Sequence, residues 1–437
     1  MALFVYTCLY YLALPIGIVL HLLFIWRRAE FRRGFWQRYG WLPQKQYQPV
    51  LVHAASVGEL NAIAPLIEAI ICELKLPVLV TTTSVTGQAR CEKLFADNDR
   101  VSWSYLPVDL GVANWLMLRR VKPRAVLLVE TELWPNLIAT CSAKKIPVIL
   151  VNGRLSERSA KGYARVSWLV APMLQKLTQL LVQDQVIAQR FVELGAPASK
   201  VSVLGSLKYD LVVPDIGIDD TAQVVPEGLC WVCGSTRSGE EASLLQAWAH
   251  LPQEIQGTLV LVPRHPQRFD EVADLCRQSG LSWLRYSEIG SSCEGDYAID
   301  VDAYREHPRR VLLVDAMGLL MHFYRRADVV FVGGSLADTG GHNPLEAAAL
   351  GKPVLMGPNC FNFVQVCDQL EQVQGLRVTT HAHLLADITQ LLTDQSLRDS
   401  MGAAGVALVD AKKGALSRHL AEIESALGQA LKQTQDK

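Results

Sequence analysis

Short runs of aliphatic and β-branched residues, each followed by a helix-like stretch, recur in two series along this chain. The first series is Val50–His53, Pro77–Thr82, Ala125–Val129, Pro147–Val151, Leu180–Val182 and Val201–Leu204. The second is Leu229–Cys233, Leu259–Val262, Val311–Val314, Val329–Val332 and Pro353–Met356. Stretches such as Leu60–Cys72, Gly111–Arg120, Glu240–Trp248 and Phe269–Ser279 lie between them and read as helices. Apolar runs without polar alternation mark strands covered on both faces, and intervening helices mark parallel pairing. The expected fold class is α/β, with two doubly wound domains. A length of 437 residues suits that number, at about 100–200 residues per domain. Asp210–Glu227, with two prolines and no clear period, reads as the linker. Leu416–Leu431 reads as an amphipathic helix closing the second domain.

Mean hydropathy is +0.17, high for a soluble chain. The cause is Leu3–Trp26, which carries no formal charge and has His21 as its one awkward residue. Roughly 20 apolar residues suffice to cross a bilayer as a helix, and Tyr10, Tyr11 and Trp26 suit its interfaces. A cleaved signal fits poorly, because no basic segment precedes the run and no small-x-small site follows it. Arg27, Arg28, Arg32, Arg33 and Arg38 follow. By the positive-inside rule they place the downstream body on the cytoplasmic side of the membrane; they also suit anionic lipid head groups. The expected organisation is residues 1–46 as a single-pass or monotopic anchor with its basic flank, 47–210 as the first domain and 211–437 as the second.

With 42 basic and 43 acidic residues, net charge gives no sign of a nucleic-acid partner. The 10 cysteines are scattered, as in reduced intracellular proteins. Cys230-x-x-Cys233 lies inside an apolar strand, and Cys360 and Cys367 are too loosely spaced to complete a zinc set. These read as core thiols, and neither a metal nor a cofactor is expected.

Doubly wound domains bind ligands beyond the carboxyl ends of their strands, so the loops there carry the candidates. His53-Ala54-Ala55-Ser56-Val57-Gly58-Glu59 passes from strand to helix. Glu59 then sits in a first helical turn, either as a helix-terminus carboxylate or as a base. Glu130 and Glu132, at i and i+2 after Ala125–Val129, would project together as paired acids; Pro135 suits the start of the next helix. Gly333-Gly334-Ser335 and Gly340-Gly341-His342-Asn343-Pro344 offer glycines and a helix terminus to a phosphate, with Glu346 one turn in for ribose hydroxyls. Ser206-Leu207-Lys208, Gly234-Ser235-Thr236-Arg237 and Val262-Pro263-Arg264-His265 also follow strands, and two of them would supply a cation.

With these motifs in place, the chain resembles the 3-deoxy-D-manno-octulosonic acid (Kdo) transferases of Gram-negative lipopolysaccharide synthesis, in glycosyltransferase family 30. The likeness runs from the anchor through the SVGE turn, ETELWPN, NGRLSERS, GSLK, GSTRSGEE and PRHPQRF to GGHNPLEAAALGKPVLMGP. It implies a GT-B fold of two Rossmann-like domains facing a cleft, the first on the acceptor side and the second on the donor side. It also implies inverting transfer of Kdo from CMP-Kdo to a lipid A precursor, lipid IVA, at the inner membrane. Residue by residue, it implies that Glu59 is the general base and that Glu130 and Lys208 stabilise the transition state. The CMP contacts it implies are Pro263 and Arg264, Met317, Gly318 and Leu319, and Asn343, Pro344, Leu345 and Glu346. Where the family usually reads DTMGE, this chain has Asp315-Ala316-Met317-Gly318-Leu319, a change that a main-chain contact survives and a carboxylate contact does not. The alternatives are another GT-B enzyme, such as a UDP-sugar epimerase or hexosaminyltransferase, and a non-catalytic membrane scaffold.

Overall fold

The computed structural model describes residues 2–27, 32–43, 47–210, 224–289 and 301–435, without the side chains of 22, 24–26, 301–302 and 429–435. Arg28, the Trp26 side chain and most of the expected linker lie outside the described residues. The chain forms two compact units, one of residues 1–210 with 413–437 and the other of residues 211–412.

The first unit is built on β1 (Val50–His53), β2 (Val78–Thr82), β3 (Val101–Tyr105), β4 (Ala125–Val129), β5 (Val148–Gly153), β6 (Gln179–Val182) and β7 (Val201–Val203). They form a seven-stranded parallel sheet in the order β3-β2-β1-β4-β5-β6-β7. Val50, Leu51 and Val52 of β1 and all of Ala125–Val129 are fully buried, because helices cover both faces of the sheet. Strand order reverses between β1 and β4. Such switch points open a crevice beyond the strand ends.

The second unit carries β8 (Leu229–Thr236), β9 (Gly257–Pro263), β10 (Ser282–Arg285), β11 (Arg309–Leu313), β12 (Val329–Val332), β13 (Val354–Met356) and β14 (Leu376–Val378). Its seven-stranded parallel sheet has the order β10-β11-β9-β8-β12-β13-β14 and switches between β8 and β12. Cys230 and Cys233 are buried in β8, and burial pushes the Cys230 thiol up to about 12, as for core thiols.

The carboxy-terminal helix, Ala415–Gln435, corrects the expected domain assignment: it belongs to the first unit. Asp210 fixes its start, accepting from the Gly414 and Leu416 N–H groups at 2.6 and 2.7 Å. Ile423 and Ala426 then enter the core beneath the helix Val57–Cys72.

The amino-terminal helix, Ala2–Arg27, holds a 20-residue apolar stretch, Ala2–His21, with mean hydropathy 2.0. Phe4, Leu12 and Ile16 are exposed. Its other side is tied to the body. Tyr6 Oη donates to Asp109 at 3.1 Å, Thr7 Oγ1 donates to Asn136 at 2.9 Å, and His21 Nδ1 lies 3.1 Å from Tyr39 Oη. At 1.5 Å per residue, the contacts from Tyr6 to His21 run along roughly 20 Å of helix.

Candidate active site

At the switch point of the first unit, β1 ends at His53 and the helix Val57–Cys72 begins four residues later. Ser56 caps it by accepting the Glu59 N–H at 3.2 Å. The Glu59 carboxylate reaches back: Oε2 accepts from the Ala55 N–H and Oε1 from Ser56 Oγ, both at 2.9 Å. This is a variant of the capping box, its return bonds going to the N–H before the cap and to the cap hydroxyl, so the helix-terminus role is realised in the structure. Burial is the main cause of a Glu59 pKa above the usual carboxylate value. The two hydrogen bonds oppose it, and the negative charges of Glu130 and Glu132 push further up.

Glu130 follows β4 in the left-handed region, at φ 54°. Its N–H donates to Val151 at 3.0 Å and its carbonyl accepts from Arg154 at 3.4 Å, so the strained turn is held from both sides. The turn takes the chain out of the strand, and Glu130 and Glu132, expected to project together, take different partners. Glu130 Oε1 lies 3.9 Å from Lys208 Nζ. Glu132 Oε2 accepts from Trp134 Nε1 at 3.0 Å and lies 3.3 Å from Nε2 of buried His53, whose Nδ1 is 3.0 Å from the Thr81 carbonyl. Pro135 opens the next helix, as its fixed φ favours.

Lys208 is placed from a distance. Asn152, at the end of β5, accepts the Leu207 N–H on Oδ1 at 3.1 Å, and its own N–H donates to His419 Nε2 at 3.1 Å. His419 Nδ1 is 2.8 Å from the Ala415 carbonyl, so the returning helix braces the Lys208 turn with a neutral imidazole. Burial lowers the His419 pKa to about 4. Glu59, Glu130 and Lys208 thus gather at one end of the first sheet.

Asp109 is a residue the sequence reading missed. It is buried, accepts the Asn136 and Leu137 N–H groups at 2.9 Å each, and binds Tyr6, so it links the amino-terminal helix to the segment carrying Glu130 and Glu132. An acid after Leu106–Val108 and before a helix was the available signal.

In the second unit the glycine-rich loop has another master. Buried Glu240 accepts from the N–H groups of Gly334, Ser335 and Leu336 at 2.7–2.9 Å, and from that of Arg237 at 2.8 Å. The Gly341 and His342 N–H groups go to the Gly334 and Gly333 carbonyls at 2.7 and 3.1 Å. These donors are spent inside the protein, which corrects their reading as a phosphate cradle. Gly333 serves close packing, since a Cβ there would lie 2.6 Å from the Ser235 carbonyl oxygen.

Cations collect at the same sheet end. Arg237 donates through Nε to His342 Nε2 at 3.2 Å and through Nη1 to His265 Nε2. Burial first, and then the surrounding arginines Arg237 and Arg264, lower the pKa of both histidines, His342 to about 4. Both therefore act as neutral acceptors. Arg268 forms a two-pronged pair with buried Glu241 at 2.7 and 3.0 Å, joining PRHPQRF to GSTRSGEE. Pro263 ends β9, and Arg264 beside it is exposed. Met317, Gly318 and Leu319 form the loop after β11, with Met317 exposed and Gly318 at φ 94°. Asn343, Pro344, Leu345 and Glu346 enter the helix Leu345–Ala349 after β12. Burial raises the Glu346 pKa, against a hydrogen bond from Asn343 and the nearby charge of Arg264.

Residues 33–211 match the family model described as 3-deoxy-D-manno-octulosonic-acid transferase (kdotransferase), and residues 308–407 match glycosyl transferases group 1. The chain is 33% identical over 428 residues to a 3-deoxy-D-manno-octulosonic acid transferase of Haemophilus influenzae, covering 95% of this chain and 97% of the relative. It is 35% identical over 432 residues to that of Bordetella pertussis, covering 93% and 96%. The chain belongs to the Kdo transferase family. It is a glycosyltransferase that transfers Kdo in lipopolysaccharide core biosynthesis. Among solved structures it is similar to a UDP-GlcNAc 2-epimerase from Neisseria meningitidis, with TM-score 0.54 and 13% identity over 86% of this chain and 99% of that one. That likeness concerns the fold alone, the doubly wound GT-B architecture. The fold class and family resemblance read from the sequence both stand.

Proposed function

We propose that this Kdo transferase takes Kdo from CMP-Kdo and delivers it to a hydroxyl of a lipid A precursor, lipid IVA, with inversion at the transferred carbon. The observation that carries the reading is the gathering of Glu59, Glu130 and Lys208 at the switch point between β1 and β4. Glu59 is the general base. Two of its roughly four lone-pair positions are taken by the cap, which orients the carboxylate, and its raised pKa suits proton removal near neutral pH. The acceptor hydroxyl gives its proton to Glu59. Its oxygen bonds to the anomeric carbon as the carbon–oxygen bond to the phosphate of CMP breaks, and CMP leaves with that electron pair. Lys208, held near Glu130, offsets the negative charge of the Kdo carboxylate and of the departing phosphate.

The second unit is the donor domain. Arg264 is the cation for CMP, backed by the Arg237–His265–His342 group, with Pro263, Met317, Gly318, Leu319, Asn343, Pro344, Leu345 and Glu346 as further contacts. The body works on the cytoplasmic side of the inner membrane. The amino-terminal helix lies along the surface of the first unit as a monotopic anchor. Its body contacts from Tyr6 to His21 favour that arrangement over one that stands the helix across the bilayer. Exposed Trp36, Trp41, Trp115 and Trp168 on the first unit suit the head-group layer. The test is a donor comparison with the full chain and lipid IVA. CMP-Kdo is consumed with transfer, and UDP-sugars are not; turnover of a UDP-sugar without use of CMP-Kdo contradicts the reading.

A further inference from the structure

The first unit contains a largely apolar groove of about 550 Å3 that the transfer chemistry leaves without a role. Its volume falls within the range of about 300–1,000 Å3 usual for small-molecule sites. One wall is the amino-terminal helix, with Ala13 and Gly17; the other holds Leu106, Val108, Thr83 and Trp134. The second wall is bonded to the acidic turns. Thr83 Oγ1 donates to the carbonyl of Ala55, the residue before the Ser56 cap, at 3.2 Å, and Trp134 Nε1 donates to Glu132. Arg38 marks the polar end: it also lines the groove, donates to the Thr83 carbonyl at 3.1 Å and stacks on Tyr105. The first wall belongs to a helix whose outer residues Phe4, Leu12 and Ile16 are exposed and suited to lipid.

The occupant must therefore be apolar along the helix and polar toward Thr83, and must come from the bilayer. We propose that the groove receives one acyl chain of the glycolipid acceptor, so that the amino-terminal helix forms part of the acceptor site as well as the anchor. The proposal rests on the functional reading above. A chain drawn into the groove leaves its head group beside the turns that carry Glu59 and Glu132. Burial of each methylene then adds to acceptor affinity, and the enzyme distinguishes acylated from deacylated acceptors.

Gly17 and Ala13 are exposed positions on the groove wall, and a Cβ added at Gly17 meets nothing within 4 Å. Gly17→Leu and Ala13→Phe therefore fill the groove without a clash at the backbone of position 17. The full-length variants are assayed with CMP-Kdo on lipid IVA in mixed micelles and on its fully deacylated, water-soluble form. The expected result is a KM for lipid IVA raised tenfold or more, about 1.4 kcal/mol, with kcat/KM on the deacylated acceptor unchanged. Unchanged kinetics on both acceptors overturn the proposal, as does an equal loss on both. Weaker membrane recovery with unchanged KM for lipid IVA also overturns it, and assigns the groove to a bilayer lipid. If the wild-type chain transfers Kdo to neither acceptor, the functional reading itself fails and takes the proposal with it.

Discussion

Replacing Glu59 by glutamine separates the cap seen in the structure from the proposed base, because the two need different chemistry. The cap needs an acceptor for the Ala55 N–H and a partner for Ser56 Oγ, both now at 2.9 Å. A glutamine amide supplies both: its oxygen accepts from Ala55, and its NH2 donates to the rotated Ser56 hydroxyl. Glutamine is also the other residue of the capping-box pattern. Removing a half-buried charge relieves desolvation, so folding stability should change by less than about 1 kcal/mol. The amide has no basicity at neutral pH. General base catalysis contributes about 10²–10⁴-fold, so kcat should fall by that factor, about 2.7–5.5 kcal/mol in activation free energy. Glu59→Ala is the control. It loses the cap as well and should cost about 0.5–2 kcal/mol of stability. The assay is CMP release with CMP-Kdo and lipid IVA, beside urea denaturation of each variant. In the wild type, the acid limb of the rate profile should lie above the usual carboxylate range, since the proposed base must be deprotonated and its pKa is raised. A glutamine variant that keeps most of its turnover, or one inactive only because it is unfolded, refutes the base.

Three other outcomes are expected. Lys208→Met keeps the aliphatic stem but removes the cation beside Glu130; loss of a charge-assisted contact worth about 1.5–3 kcal/mol should lower kcat/KM by about 10- to 100-fold, with unchanged circular dichroism. Glu240→Gln turns an amide donor toward the N–H groups of Gly334, Ser335, Leu336 and Arg237; each buried donor left unpaired costs about 1–3 kcal/mol, so denaturant resistance should fall and CMP binding by calorimetry should weaken. Acid should destabilise the chain through its buried histidines. His342 and His419 are held neutral when folded, each near 4 against a usual 6.5, so only the unfolded chain takes up these protons between pH 6.5 and 4. Stability then falls as pH falls through that window, by up to about 1.4 kcal/mol per pH unit for each histidine. His419→Gln should flatten the slope by one proton's worth in urea titrations.

Central strands were legible because burial on both faces writes them as unbroken apolar runs, as in Val50–Val52 and Ala125–Val129. The edge strands β3, β10 and β14 escaped, since Val-Ser-Trp-Ser-Tyr, Ser-Trp-Leu-Arg and Leu-Arg-Val are incompletely buried and carry polar residues. Glu59 and Glu130 were legible as acids after strands. The 3.9 Å approach of Lys208 to Glu130 was not, because the bracing runs through Asn152 and His419, far apart in sequence. Nor could the amphipathic pattern of the last helix say which unit it covers; the Asp210 carboxylate decides that. The glycine-rich loop misled for a related reason. Glycines announce a close approach, but not that the approaching group is the protein's own Glu240.

The most direct test of the account is the mass spectrum of lipid IVA after incubation with purified full-length chain and CMP-Kdo, beside the Glu59→Gln variant. The account predicts a lipid heavier by one Kdo residue, or by a whole number of them, with CMP released in equal amount, and unmodified lipid with the variant. Unmodified lipid with the folded wild-type chain, or the same product from the variant at the wild-type rate, would contradict it.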